Sequence, residues 1–187
     1  MTKDQARRRI KAQKALLDQV EKSMAATAVF DRLEQLASFM MSKNILMYHS
    51  LPDELHTHSF LEKWKGMKNF FLPRVNGVNL DILPYDSTRL QLGAFHIEEP
   101  VGDTVTPVSD IDMVIVPAVA YDRQCNRVGR GRGFYDRLLR DTRAVKVGVA
   151  YHFQVIDEGI DTDPHDVPVD IVITDRAVYR RLPSERR

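Results

Sequence analysis

The stretch from Ile111 to Leu139, IDMVIVPAVAYDRQCNRVGRGRGFYDRLL, decides how this chain is built. Met113 to Val116 is apolar on successive residues, so both faces of the strand it forms are covered, as in a sheet sandwiched by helices. A turn follows around Asp122 to Asn126, glycines stand at 129, 131 and 133, and a helix opens near Phe134. Strand, glycine-rich loop and helix in that order read as an α/β unit.

Working outward, Ile171 to Ile173 has the same two-sided apolar character. ILMY (45–48), FFL (70–72) and VKVGVAY (145–151) add short β-rich runs between helix-length or turn-rich segments. VNGVNLDIL (75–83) carries Asn76-Gly77, a hairpin signal because both residues tolerate positive φ. From Thr2 to about Met41 two helices are expected. Ala6, Ile10, Leu17 and Val20 recur at helical spacing, then Val29, Leu33, Leu36 and Met40 do so again, with Ser23 as the N-cap between them. The expected fold class is α/β: a three-layer α/β/α sandwich with a mostly parallel or mixed sheet, N-terminal helices and an attached β-hairpin. One domain over residues 1–187 is expected, with no internal repeat or linker, and Arg180 to Arg187 reads as a frayed terminus.

Composition limits the function. The chain has 187 residues, 43% hydrophobic, enough to bury roughly 70% of the unfolded surface. Lys and Arg number 27 against 26 Asp and Glu, a net charge of +1 that supplies no bulk field for gripping nucleic acid or an anionic membrane. Any anion site must be local. The longest apolar run, Met113 to Tyr121, is interrupted by Pro117 and falls far short of the ~20 residues that span a bilayer. No apolar stretch follows the basic start MTKDQARRRIK, so no secretory signal is expected. Cys125 is the one cysteine, which fits a reducing compartment, and a cytoplasmic location is expected.

A glycine-rich loop ahead of a helix lets bare backbone N–H groups approach phosphate oxygens. Here the spacing is G-x-G-x-G, which matches neither the dinucleotide fingerprint nor the P-loop. Arg127, Arg130 and Arg132 alternate with Gly129, Gly131 and Gly133, an arrangement suited to a polyphosphate. Asp136, in the first helical turn, is either a helix-dipole partner or a Mg²⁺ ligand. In the first helix Lys3, Arg7, Lys11 and Lys14 stack along one face without an acidic residue among them. That stripe is either a solvated face or the footprint of an anionic ligand or partner.

The run VPAVAYDRQCNRVGRGRGFYDRLL resembles the signature of the 5-formyltetrahydrofolate cyclo-ligase (5,10-methenyltetrahydrofolate synthetase) family. The likeness extends over nearly the whole chain. It includes Lys3 and Arg7, the loop LPDELHT (51–57), FLPR (71–74), the aromatic-Ile-Glu-Pro segment Phe95 to Pro100 and the Asp-bearing final strand Pro168 to Asp175. The resemblance implies a three-layer α/β fold and an ATP- and Mg²⁺-dependent ring closure of 5-formyltetrahydrofolate to 5,10-methenyltetrahydrofolate, releasing ADP and phosphate. It implies ATP contacts from Lys3, Arg7, Arg127, Gly129, Arg130, Gly131, Arg132, Gly133, Phe134 and Tyr135, with Arg130, Arg132 and Tyr135 as the catalytic candidates. Leu51, Glu54, His56 and Phe134 would lie along the folate, and Asp136 and Asp170 would hold the metal. ATP and a reduced folate are the implied partners, without nucleic acid, membrane or an obligate protein.

Departures from the family pattern are Ala118 and Cys125 at positions where glycine is usual, Phe134 in place of a frequent tyrosine, and His56 where some relatives carry an acid. His56-x-His58 lacks a third ligand of matching spacing for zinc, and Cys125 lacks a nearby base. Trp64 and the cluster Phe39, Met40, Met41 read as core, while His165 and Asp166 orient the Asp170 loop or shape a turn. Two other functions fit the same loop. A sugar-phosphate isomerase or CoA-transferase-like enzyme would need no ATP, and a small RNA-binding protein using RGRG would show steep salt dependence.

Overall fold

Two capped helices open the chain in the computed structural model, which describes residues 1–183. Thr2 Oγ1 accepts from Gln5 N at 3.2 Å and Gln5 Oε1 accepts from Thr2 N at 3.0 Å, a capping box for α1 (Lys3–Lys14). Asp18 Oδ1 accepts from Glu21 N at 2.8 Å and starts α2 (Gln19–Glu34). Ser23 therefore lies inside α2 and is not its cap, because the Asp18 carboxylate satisfies the free amides five residues earlier. Leu17 falls in the connector and Val20 is exposed, so the apolar face of α1 rests on Ala6 and Ile10. Two short helices follow, α3 (Ala37–Met41) and α4 (His58–Trp64), and later α5 (Phe134–Arg140).

The strands are β1 (Asn44–Leu46), β2 (Asn69–Asn76), β3 (Asn79–Pro84), β4 (Leu90–Leu92), β5 (Glu98–Pro100), β6 (Met113–Val116), β7 (Ala120–Asp122), β8 (Arg127–Val128), β9 (Val145–Ala150), β10 (Val155–Ile156), β11 (Ile171–Thr174) and β12 (Val178–Arg180). Seven form a mixed sheet in the order β12-β11-β9-β6-β1-β2-β3. The five inner strands are parallel, and β3 and β12 close the edges antiparallel. Gly77, at φ 62°, turns the β2–β3 hairpin where Asn76-Gly77 predicts it. The frayed terminus expected from Arg180 onward begins at the last residue of β12, and residues 184–187 lie outside those described.

Successive side chains of the inner strands enter opposite cores. Ile45, Met47, Met113, Ile115, Val147, Val149, Ile171 and Ile173 pack with Val29, Phe30 and Leu33 of α2 and with Phe39 and Phe60. Leu46, Val114, Val116, Ala150 and Val172 face the other way, against Leu139 of α5, Tyr121 and Val169. Both faces are covered, as the unbroken apolar runs require. A third cluster joins Ala6 and Ile10 of α1 to Ala120, Val128 and Ile156 of the small sheet β10-β7-β8. In open α/β sheets, ligands bind outside the carboxyl ends of the strands. Here β1 leads into Tyr48 to Thr57, β6 into Pro117 and the β7–β8 hairpin, and β9 into Tyr151 to Gln154.

Candidate active site

The glycine loop hangs from the β7–β8 hairpin. Asp122, 1% exposed, holds the hairpin turn, its Oδ1 accepting from Gln124 N and Asn126 N and its Oδ2 from Ile160 N. Cys125 takes φ 65° in that turn, a backbone state that favours glycine. Beyond Val128 the loop runs exposed to Gly133, which precedes α5 in a left-handed conformation. Gly131 sits at φ 102°, and a Cβ built there would meet nothing nearer than an Arg7 guanidinium nitrogen at 3.7 Å. The loop thus leaves backbone open toward α1.

Its three arginines do not point to one place. The Arg127 side chain is buried, with one nitrogen donating to Asp136 Oδ1 at 3.0 Å and another to Pro117 O at 3.3 Å. Its Nε is buried without a partner. Arg130 reaches across to Asp53 at 3.4 Å and Glu54 at 3.7 Å. Arg132 stacks on Phe95 at 4.6 Å, and Phe95 is 6.2 Å from the ring of Phe134. Burial raises the Tyr135 hydroxyl above its ordinary range, with the Glu54 charge adding to the effect. Arg137, which sequence reasoning missed, donates to Val78 O and Arg132 O and so fastens the loop to the β2–β3 turn.

The cationic stripe of α1 faces this loop. Arg7 Nε donates to Gly129 O at 3.0 Å. Lys3 Nζ pairs with Asp163 at 2.5 Å and Asp166 at 2.7 Å. Burial alone would lower the Lys3 pKa, but the hydrogen bonds to Asp163 and Asp166 outweigh it and the value is raised. Lys14 approaches Asp53 at 3.8 Å, and of the four only Lys11 is exposed, the others being half-buried.

Opposite lies the loop after β1. Glu54 Oε1 accepts from Leu51 N at 2.9 Å, and burial raises the Glu54 pKa against the opposing pull of that bond and of Arg130. A narrow cleft of about 10 Å³, room for one water, opens between Glu54, Lys14, Tyr48, Ala118 and Gln154. His56 is exposed at its edge and packs on His58 at 4.6 Å, which stacks on His49 at 3.8 Å. A larger hollow of about 320 Å³ lies between α5, β3 and residues 105–108; the Arg137 guanidinium at its wall is bonded to carbonyls.

The expected pair of metal carboxylates does not come together. Asp136 sits beside Arg127 and also accepts from Val167 N at 3.1 Å. Asp170 is corrected by strand geometry: it precedes β11, and its Oδ2 accepts from Lys146 N at 2.9 Å at the amino end of β9, away from the loop. Asp166, adjacent to Val167 and bonded to Lys3, is the carboxylate that accompanies Asp136. Among the described residues no group of three or more His, Cys, Asp or Glu converges as a metal site.

These features meet in one known class, the small α/β ligases that act on formylated folates. The profile of the 5-formyltetrahydrofolate cyclo-ligase family matches residues 1–175, and the chain belongs to that family. It is 30% identical over 182 residues to the 5-formyltetrahydrofolate cyclo-ligase of Haemophilus influenzae, covering 91% of this chain and 97% of the relative. The Escherichia coli K12 enzyme of the same name is also 30% identical, over 89% of this chain and 96% of its own. The solved 5,10-methenyltetrahydrofolate synthetase of Aquifex aeolicus superposes with a TM-score of 0.85 at 32% identity, covering 95% of this chain and 92% of the other. The chain is thus an enzyme, a ligase of folate metabolism. No helix among the described residues is long and apolar enough to cross a membrane.

Proposed function

We propose that the protein closes 5-formyltetrahydrofolate to 5,10-methenyltetrahydrofolate at the expense of ATP, releasing ADP and phosphate. The observation that carries this reading is the approach of the α1 cations to the Arg-Gly loop, directly across from Glu54. An N-formyl oxygen is a poor leaving group. Transfer of the γ-phosphoryl to it makes a good one, N10 attacks the activated carbon, and phosphate departs. Such chemistry asks the protein mainly for positioning and for cations around the phosphoryl.

The residues fit a nucleotide. The buried, unpartnered Nε of Arg127 awaits an acceptor, and Arg7 lies against the open backbone of Gly131. Lys3, Arg7, Arg127 and the loop from Gly129 through Gly133 to Phe134 and Tyr135 hold the phosphates and their nucleoside. Arg130 and Arg132 swing onto the transferring group, since each is exposed and held loosely, Arg130 by Asp53 and Glu54 at 3.4 and 3.7 Å and Arg132 by the Phe95 ring. Tyr135, with its hydroxyl kept protonated by burial, donates beside them. Leu51, Glu54, His56 and Phe134 line the folate, with Glu54 accepting from pterin N–H donors. Mg²⁺ takes one or two carboxylates with phosphate oxygens and waters, and Asp136 and Asp166 would hold it. Bound there, it neutralises charge on the phosphates. The whole chain acts as one catalytic unit, in the cytoplasm, without nucleic acid, membrane or an obligate protein partner.

The test is direct. Protein mixed with 5-formyltetrahydrofolate and Mg-ATP develops methenyl absorbance and releases stoichiometric phosphate. Omitting ATP, or adding excess chelator, abolishes the signal. Turnover that persists without nucleotide would return the site to a phosphate-binding isomerase or transferase.

A further inference from the structure

Lys14 closes α1 with its ammonium inside the cleft. Its side chain is 12% exposed, its one ion-pair neighbour is Asp53 Oδ2 at 3.8 Å, and it makes no hydrogen bond. A largely covered ammonium that donates to no protein group keeps its three donors for a ligand or water. The contrast with Lys68 is plain: that ammonium donates to Phe39 O, Met40 O and Ser42 O at 2.8, 3.2 and 2.7 Å. The other polar groups of the cleft are engaged. Gln154 Nε2 donates to Ala118 O and Val119 O, Tyr48 donates to Leu55 O, and Glu54 Oε1 accepts from Leu51 N. Lys14 alone among the residues lining the cleft keeps every donor free.

Its position names the occupant. Lys14 lies seven residues beyond Arg7, two turns along the same helix face, and its ammonium shares Asp53 with Arg130 of the glycine loop. Arg7 touches that loop, and Lys14 stands at Glu54, where the pterin is placed. The stripe therefore runs from the nucleotide to the reacting end of the folate. The glutamate tail of the folate carries carboxylates that are best left in water, whereas the cleft is narrow and walled by Leu55, Pro117 and Val149.

We infer that Lys14 is a catalytic residue whose ammonium binds the phosphoryl group once it sits on the formyl oxygen. This rests on the ATP-dependent reading above. In the step concerned, the N10 lone pair forms the bond to the formyl carbon, the carbon–oxygen bond breaks, and inorganic phosphate leaves carrying that oxygen. The N10 proton passes to solvent. The Lys14 ammonium stabilises the charge that gathers on the departing oxygen.

The experiment compares the full-length wild type, Lys14→Met and Lys14→Arg in steady state with Mg-ATP and 5-formyltetrahydrofolate. Lys14→Met is expected to lose about 10²-fold or more in kcat while both KM values stay within about threefold, and Lys14→Arg to recover to within about tenfold of wild type. The pH profile adds a readout that a packing role does not move. Burial lowers the Lys14 pKa, with Arg130 and Lys22 pushing the same way and Asp53 and Glu54 opposing; Tyr48 faces it from the segment after β1. Activity therefore falls as pH rises through that lowered value, and in Lys14→Arg the alkaline limb moves to higher pH. If Lys14→Met loses its melting transition, the limb of Lys14→Arg carries the test alone. A kcat within threefold for folded Lys14→Met, a loss appearing only in the KM for folate, or an unmoved limb overturns the assignment. A wild type that does not turn over overturns the ATP-dependent reading and this inference together.

Discussion

Asp136→Asn separates an electrostatic strut from a helix-dipole partner. The Asp136 carboxylate is 26% exposed and the Arg127 side chain it holds only 5%. Asparagine keeps an oxygen for Val167 N but removes the charge, leaving a buried guanidinium with Pro117 O at 3.3 Å and an unpartnered Nε. A hydrogen bond to a charged group is worth about 1.5–3 kcal/mol, so a loss of about 2 kcal/mol and a melting temperature lower by roughly 4–8 °C is expected. A dipole partner on the seven-residue α5 would contribute only about 0.3–1 kcal/mol. The assay is a double-mutant cycle: melting of the wild type, Asp136→Asn, Arg127→Met and the pair. A coupling above about 1 kcal/mol is expected, since independent sites add to within about 0.5. Turnover measured across a Mg²⁺ titration reports the second role, and a drop on the order of 10²–10³-fold is expected if a metal ligand is lost. Additive melting shifts would refute the strut. Near wild-type turnover at low Mg²⁺ would refute the metal role, whatever the melting shows.

Three further outcomes are expected. Lys3→Ala combined with Arg7→Ala should weaken apparent ATP affinity about tenfold or more, because each removed cation costs a charge-assisted contact; unchanged affinity returns both to the helix surface. Gly131→Val forces a β-branched side chain to φ 102° at a cost of about 1–3 kcal/mol. Nucleotide affinity should fall further than this stability loss explains, and a collapse of stability with intact affinity would make the glycine a backbone device only. Glu54 is raised by burial above its ordinary 4.5, so its folded form holds the proton more tightly than its unfolded form. Its contribution to stability is thus present below 4.5 and lost as pH rises through the folded value. Folate affinity runs the other way, since a pterin N–H needs the ionised acceptor, and should decline as pH falls through that value. Calorimetric titration across this range should show the decline in the wild type and a flat, weaker profile in Glu54→Gln.

How far these residues were legible depended on whether their partners lay close in sequence. Met113 to Val116, Asn76-Gly77 and the opening of α5 at Phe134 are local signals, and the fold places them as read. The β7–β8 hairpin was missed because strands of three and two residues are too short to show a period. Ser23 lost the cap to Asp18 because both residue types accept from free amides, and only the chain path decides which meets them. Asp170 looked like a ligand because likeness along a line does not say which end of a strand a carboxylate occupies. It lies at the amino end of β11, whereas Asp166, four residues earlier, meets Lys3. Arg137 gave no signal, since the carbonyl it secures at Val78 lies 59 residues away.

The net charge of +1 and the cationic site are reconciled by the internal pairs. Lys3 sits on Asp163 and Asp166, Arg130 on Asp53, and Arg127 on Asp136. An incoming polyphosphate must compete with these carboxylates, and they do not yield equally. Arg130 and Asp53 are each 53% exposed, and Asp163 is 68% exposed; such pairs contribute about 0–1 kcal/mol and give way readily to a ligand that offers several oxygens. Arg127 is buried against a largely covered Asp136, and parting them would strand its charge at a cost of about 2 kcal/mol. The exposed cations are therefore the ones that change partners on binding. Arg127 stays with Asp136 and offers its unpaired Nε, so that pair fixes the geometry around which the mobile cations close.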